Sequence, residues 1–199
     1  MSKLAILASH GGSILQTVVD ACEAGTLAAE VVLVISNNSD SHALARARDH
    51  GIKTLHLSAS THPEPELLDR AIRCAFDQAN VDWVVLAGYM KRLGKETLSA
   101  YPHRIINTHP ALLPKYGGKG YFGRSVHQAV MDAGDTESGA TVHFVTGDYD
   151  TGPIVSQVRV PVKPQDTVES LEERVKTAER KLIVSSLTEL VGCKEAAGY

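Results

Sequence analysis

Asp82-Trp-Val-Val-Leu-Ala87 is the stretch whose reading decides the fold. After the aspartate it is wholly apolar. It shows no polar alternation and is too short for a buried helix. A run of this kind is a strand covered on both faces, as in a parallel sheet. Other strand-like runs flank it at Leu4–Ala8, Glu30–Ile35, Lys53–Leu57, His103–Asn107, Thr141–Val145 and Ile154–Val162. Between them lie helical segments. Ser13–Ala24 follows a glycine turn, and Asn37-Asn-Ser-Asp40 is a start signal for a helix that stops near Gly51. Glu64–Asn80 has helical periodicity through Leu67, Leu68, Ile72 and Phe76, while Gly94–Tyr101, Arg124–Ala133 and Val168–Leu190 complete the set. This alternation predicts an α/β fold: an open, mostly parallel twisted sheet with helices on both faces, formed as a single domain over residues 1–199.

Ligands of such sheets bind beyond the carboxyl ends of the strands. One such end is Arg104-Ile-Ile-Asn-Thr-His-Pro-Ala-Leu-Leu-Pro-Lys-Tyr116. The residue before Pro110 is held extended, and extended side chains alternate, so Asn107 and His109 leave the chain on the same side. An amide donor beside an imidazole suits a reaction in which an oxyanion forms and a proton moves. The same spacing is also compatible with a polar turn carrying a surface histidine.

Composition narrows the classes. The chain has 199 residues, 43% hydrophobic and 22% charged, which is an ordinary globular mixture. A net charge of −3 gives no electrostatic case for a large nucleic-acid partner. No apolar run is long enough to span a bilayer, and residues 1–8 lack a signal-peptide pattern. Cys22, Cys74 and Cys193 are odd in number and widely spaced, which argues against a disulfide framework and fits a cytoplasmic protein.

Three further segments stand at strand ends. Ser9-His10-Gly11-Gly12-Ser13 opens a helix, where glycine backbone and helix N-terminus together favour an anion such as phosphate. It is neither GxGxxG nor a GK[ST] loop, so neither a dinucleotide nor a nucleoside triphosphate is indicated, and a tight turn with Ser13 as cap is the plainer alternative. Gly139–Pro153 carries His143 into a turn with Asp148 and Asp150. Those carboxylates could orient a histidine, bind a cation or simply shape the turn; a calcium loop would need more oxygen ligands. Gly88-Tyr-Met-Lys-Arg-Leu93 follows the central strand as either a pocket wall or a covering loop. Lys115–Gly123, rich in glycine and aromatics, is a lid or an irregular connection. His42, His50, His56, His62 and His103 have no metal-ligand spacing, and no metal is expected.

Together Ile6–Gln16, Leu86–Leu93, Ile106–Tyr116, Thr141–Pro153 and Arg174–Glu179 resemble the glycinamide ribonucleotide transformylases, folate-dependent formyltransferases of purine synthesis. The Asn-x-His-Pro-x-Leu-Leu-Pro run with a distant Asp-x-Gly-Pro is the specific part. The resemblance implies a sheet with a Rossmann-like N-terminal half. It implies Asn107, His109 and Asp150 as a catalytic trio and the backbone around Gly11, Gly12 and Ser13 as the phosphate site, where His10, this chain's own departure, is a further candidate contact. It also implies Glu179 as a substrate contact, and Met90, Lys91, Arg92, Leu93, Thr146, Gly147 and Asp148 as lining for the cosubstrate, 10-formyltetrahydrofolate. The implied partners are small molecules, with no nucleic acid and no membrane; monomer and homodimer both stay open.

The chain departs from the family pattern in three places. His10 and Ile14 stand where Gly and Asn are usual, Gly117–Val126 is longer, and Lys91-Arg92 replaces a common Arg-Ile. Related activities share the trio. Formyltetrahydrofolate deformylase is expected to have a preceding regulatory domain, whereas the first strand here begins at residue 3. Methionyl-tRNA formyltransferase is expected to have a further C-terminal domain and a basic surface. Sugar-nucleotide formyltransferases are usually longer. A non-catalytic phosphometabolite or folate binder would not need all three trio residues.

Overall fold

The computed structural model describes residues 1–196, with side chains as far as 192, so the Cys193 thiol lies outside the described residues. The strands are β1 (Ser2–Leu7), β2 (Ala29–Ser36), β3 (Lys53–His56), β4 (Trp83–Leu86), β5 (Ile105–His109), β6 (Glu137–Phe144) and β7 (Ile154–Pro161). The helices are α1 (Ser13–Glu23), α2 (His42–Asp49), α3 (Pro65–Gln78), α4 (Lys95–Ala100), α5 (Arg124–Asp132) and α6 (Val168–Ala196). The sheet order is β3-β2-β1-β4-β5-β6-β7. Strands β1, β2, β3 and β4 pair in parallel, whereas β7 pairs antiparallel with β6. The expected open, mostly parallel α/β sheet is therefore present, with an antiparallel end.

Two compact units divide the chain: residues 1–106 with the segment from 187 onward, and residues 107–186. In the first unit the order β3-β2-β1-β4 is that of a Rossmann half, in which strand order reverses between β1 and β4. All four residues of β4 are buried, as its apolar run requires. Leu4, Ile6, Leu7, Leu15, Leu33, Ile35 and Phe76 fill the core around it. In the second unit Val126, Val130, Val142, Leu171, Val175 and Ile183 are buried.

Two details differ from the sequence expectation. The cap of α2 is Ser41, whose Oγ accepts from Leu44 N, rather than a residue of 37–40. In α3 the buried stripe runs through Asp69, Ile72, Ala75 and Phe76, and Leu67 points to solvent. Position 67 is five residues from 72, off the i+3/i+4 face. Asp69 is buried because it works as a cap for another helix: its carboxylate accepts from Glu96 N at 2.8 Å and from Thr97 Oγ1, at the start of α4.

Candidate active site

The second unit brings the predicted trio together. Strand β5 runs through His109, two residues beyond the expected end, so the alternation argument applies directly to Asn107, Thr108 and His109. Asn107 Nδ2 donates to Asp150 Oδ1 at 3.4 Å, and His109 Nδ1 stands 3.6 Å from Asp150 Oδ2. The Asp150 carboxylate therefore faces both residues, on the side they share. Thr108 turns the other way and donates from Oγ1 to Glu179 Oε1 at 2.9 Å.

Asp150 reaches this place through a left-handed backbone, φ 55°, at the tip of the β6–β7 turn. The turn is pinned below by Phe144 N donating to Pro153 O at 2.9 Å. Gly152 makes that closure possible, since a Cβ there would lie 1.7 Å from the Phe144 carbonyl oxygen. On the other side, Thr141 Oγ1 donates to Ala111 O at 2.6 Å and accepts from Leu113 N at 3.1 Å, fastening the segment after β5 to β6.

The trio has a fourth neighbour. His143 Nε2 lies 3.1 Å from Asn107 Nδ2 and 3.4 Å from Asp150 Oδ1, while Nδ1 is 2.9 Å from the Phe144 carbonyl oxygen, to which it donates. With Nδ1 protonated, a neutral ring accepts from the Asn107 amide, and a doubly protonated ring donates to Asp150. The sequence had offered His143 only as a residue of the strand leading to the acidic turn. The Gly117–Val126 segment also takes part, because Gly118 N donates to Asp150 Oδ2 at 2.9 Å; just before it, Tyr116 O accepts from His109 Nε2 at 2.7 Å.

Burial and charge oppose each other here. Burial pushes the Asp150 carboxyl upward, but the His143 hydrogen bond, the His109 ring and the Gly118 amide outweigh it and hold Asp150 below its usual value. Burial dominates at His109 and lowers its pKa below 6.5, although Asp150 and the Tyr116 carbonyl pull the other way. The site thus combines an ionised carboxylate with an imidazole that favours its neutral form, and two N–H donors on one side. Such a set can hold a developing oxyanion and pass a proton.

Glu179 is 9% exposed and its pKa is raised, mainly by burial, against the opposing effects of Thr108, Lys176 and Arg180. Thr146, Gly147 and Asp148 are exposed on the same turn as Asp150. The Asp148 carbonyl oxygen accepts from Thr151 Oγ1 at 3.3 Å within this turn. Among the described residues no group of three or more His, Cys, Asp or Glu side chains is placed to hold a metal ion.

In the first unit the phosphate-type turn has the expected shape with a different cap. Gly12 is the N-cap of α1, with φ 71° and no side-chain cap bond, and Ser13 is the first helical residue. A Cβ at Gly12 would stand 2.9 Å from Ala43, so glycine is required by both conformation and space. The first backbone N–H groups of α1 therefore have no side-chain acceptor at the cap, which suits an anion. His10, Gly11 and Ser13 are exposed beside it, and Ile14 is buried in the core. Arg46 at this turn was not anticipated, and Ser9 was read only as the first residue of the turn. Arg46 donates from Nε to Gly11 O at 2.9 Å and from Nη1 to Gln16 Oε1 at 3.2 Å, which sets a guanidinium beside the turn. Ser9, 1% exposed, donates to Asn37 Oδ1 and accepts from Met90 N at 2.8 Å. Its own N–H donates to Gly88 O at 3.1 Å. The loops after β1 and β4 are thereby stitched together where the strand order reverses. Of the second loop, Lys91 and Arg92 are exposed, Met90 is half-buried and Leu93 belongs to the core at 7% exposure.

Comparison with known proteins agrees with this geometry. The family described as Formyl transferase matches residues 2–187. A chloroplastic phosphoribosylglycinamide formyltransferase of Arabidopsis thaliana is 41% identical over 196 residues, covering 97% of this chain and 66% of its own. The phosphoribosylglycinamide formyltransferase of Haemophilus influenzae is 38% identical over 182 residues, covering 92% and 84% respectively. The chain thus spans just under two thirds of the plant relative and most of the bacterial one. The crystal structure of glycinamide ribonucleotide transformylase 1 from Geobacillus kaustophilus superposes with a TM-score of 0.89 at 35% identity, covering 96% of this chain and 98% of that one. With the family matched over nearly its whole length and the trio assembled around one carboxylate, the chain belongs to the formyl transferase family.

Proposed function

We propose that this protein is a phosphoribosylglycinamide formyltransferase, acting as one formyltransferase domain in the cytoplasm. It transfers the formyl group of 10-formyltetrahydrofolate to the amine of glycinamide ribonucleotide in purine biosynthesis. The observation that carries this reading is the Asp150 carboxylate shared by Asn107 and His109. The named relatives and the matching fold support it.

In this reading the substrate amine attacks the formyl carbon, forming a C–N bond and a tetrahedral oxyanion. Asn107 Nδ2 and His109 Nε2–H, which the protein holds on Asp150 and the Tyr116 carbonyl, pass to that oxyanion. Asp150 orients His109 and, with it, helps move the proton from the attacking nitrogen to N10 of the folate as the C–N10 bond breaks. The turn His10, Gly11, Gly12 and Ser13 takes the ribonucleotide phosphate, with Arg46 as an added cation. Glu179 accepts from the ribonucleotide. Met90, Lys91, Arg92 and Leu93, with Thr146, Gly147 and Asp148, line the folate site; Leu93 contributes from the core rather than as a free surface.

The test is direct. Purified protein given glycinamide ribonucleotide and 10-formyltetrahydrofolate should release tetrahydrofolate and formylated ribonucleotide in equal amounts. Folate turnover without the amine identifies a deformylase instead, and binding without turnover identifies a carrier.

A further inference from the structure

Glu179 interrupts an otherwise ordinary helix face. The buried stripe of α6 runs through Leu171, Val175, Glu179, Leu182 and Ser186, so the third position places a carboxyl where packing alone calls for an aliphatic side chain. A buried carboxylate is costly unless donors reach it. Among the described residues one side chain does so, Thr108, with Oγ1 2.9 Å from Glu179 Oε1. Lys176 and Arg180, on the same helix, act only through space. The second carboxyl oxygen has no protein partner among the described residues.

Thr108 is itself 7% exposed and sits between Asn107 and His109 on β5. A threonine hydroxyl has a single proton, and here it is given to Glu179. One bond therefore fixes a buried carboxyl on α6 to the strand residue flanked by both candidate oxyanion donors. We propose that Thr108 is a positioning residue: it holds one oxygen of Glu179 so that the other is presented to a hydroxyl or amine hydrogen of the ribonucleotide. This rests on the formyltransferase reading above and adds to it a residue that sets affinity for the amine substrate.

Thr108→Val keeps the β-branched shape suited to a strand and removes the donor. Steady-state kinetics of the full chain should show KM for glycinamide ribonucleotide raised about 10- to 100-fold, as expected for loss of a hydrogen bond to a charged group. KM for 10-formyltetrahydrofolate should stay within about twofold, and Thr108→Ser, which restores the hydroxyl, should lie within about threefold of wild type on every constant. Should valine prevent folding, Thr108→Ala removes the same hydroxyl with a smaller side chain and carries the same expectation. In a Glu179→Gln background the valine substitution should lose most of its effect on KM. A normal ribonucleotide KM in folded Thr108→Val or Thr108→Ala, an equal rise in both KM values, or a fall in kcat alone overturns the proposal and leaves the assigned activity standing. Absence of turnover by the wild-type protein overturns both.

Discussion

His109 Nδ1 and Asp150 Oδ2 face each other at 3.6 Å, with side chains only 6% and 10% exposed. Forty-one positions apart in the chain, they meet because β5 ends where the β6–β7 turn folds over it. Water is largely excluded from the pair, so the carboxylate acts on the imidazole at low screening.

From this pairing we expect His109→Ala and Asp150→Asn to fold normally and to lose about 100- to 10,000-fold in kcat, the range for a positioned proton-transfer group. Asn107→Ala should lose about 100- to 1000-fold as a missing oxyanion donor. Circular dichroism and thermal unfolding establish the fold, and single-turnover rates establish the loss. Wild-type activity in any of the three contradicts its role.

The pH dependence has a definite sign. Burial lowers the His109 pKa below 6.5, and the neighbouring Asp150 charge raises it part of the way back. If catalysis uses the neutral ring, kcat falls as pH drops through an inflection below 6.5. Asp150→Asn removes the upward pull, so the residual activity should show this inflection at still lower pH. An inflection moving upward contradicts the assignment. The linked stability has the same direction: the folded protein resists protonating His109, so this group's contribution is present above the unfolded pKa and is lost as pH falls through the folded one.

At the phosphate-type turn the expected effects are smaller. His10 is exposed, so His10→Ala should weaken ribonucleotide binding by roughly two- to fivefold and leave folate affinity unchanged. Calorimetric titration of each ligand measures both. Unchanged ribonucleotide affinity removes His10 from the site.

Gly12 carries a structural cost that can be measured separately. With φ 71° and Ala43 2.9 Å from the place of its absent Cβ, Gly12→Ala should destabilise the fold by about 1–3 kcal/mol. Urea unfolding should show a lower midpoint at unchanged slope. An unchanged midpoint means the turn relaxes freely.

Local rules made much of this architecture legible. The apolar run at β4 and the alternating helices follow from short-range pattern, and the shared direction of Asn107 and His109 follows from strand geometry. The meeting with Asp150 could not be read the same way, because it depends on a left-handed turn at φ 55° and on the fold of β6 and β7. Thr108 was hidden by its position between two more conspicuous neighbours, although the same alternation turns it toward another partner. Ser9 reads in the sequence as the first residue of the glycine turn, and Arg46 does not stand out there at all. Only the approach of the β4 loop and α2 gives them roles. Leu67 looked apolar enough for the core and is 47% exposed, because helical phase outweighs residue type.

Formyl transfer itself tests the account most directly. With glycinamide ribonucleotide and 10-formyltetrahydrofolate, the purified protein should form tetrahydrofolate and formylated ribonucleotide one for one, and Asp150→Asn should abolish nearly all of it. Folate turnover that does not depend on the ribonucleotide, or transfer that survives loss of Asp150, would contradict it.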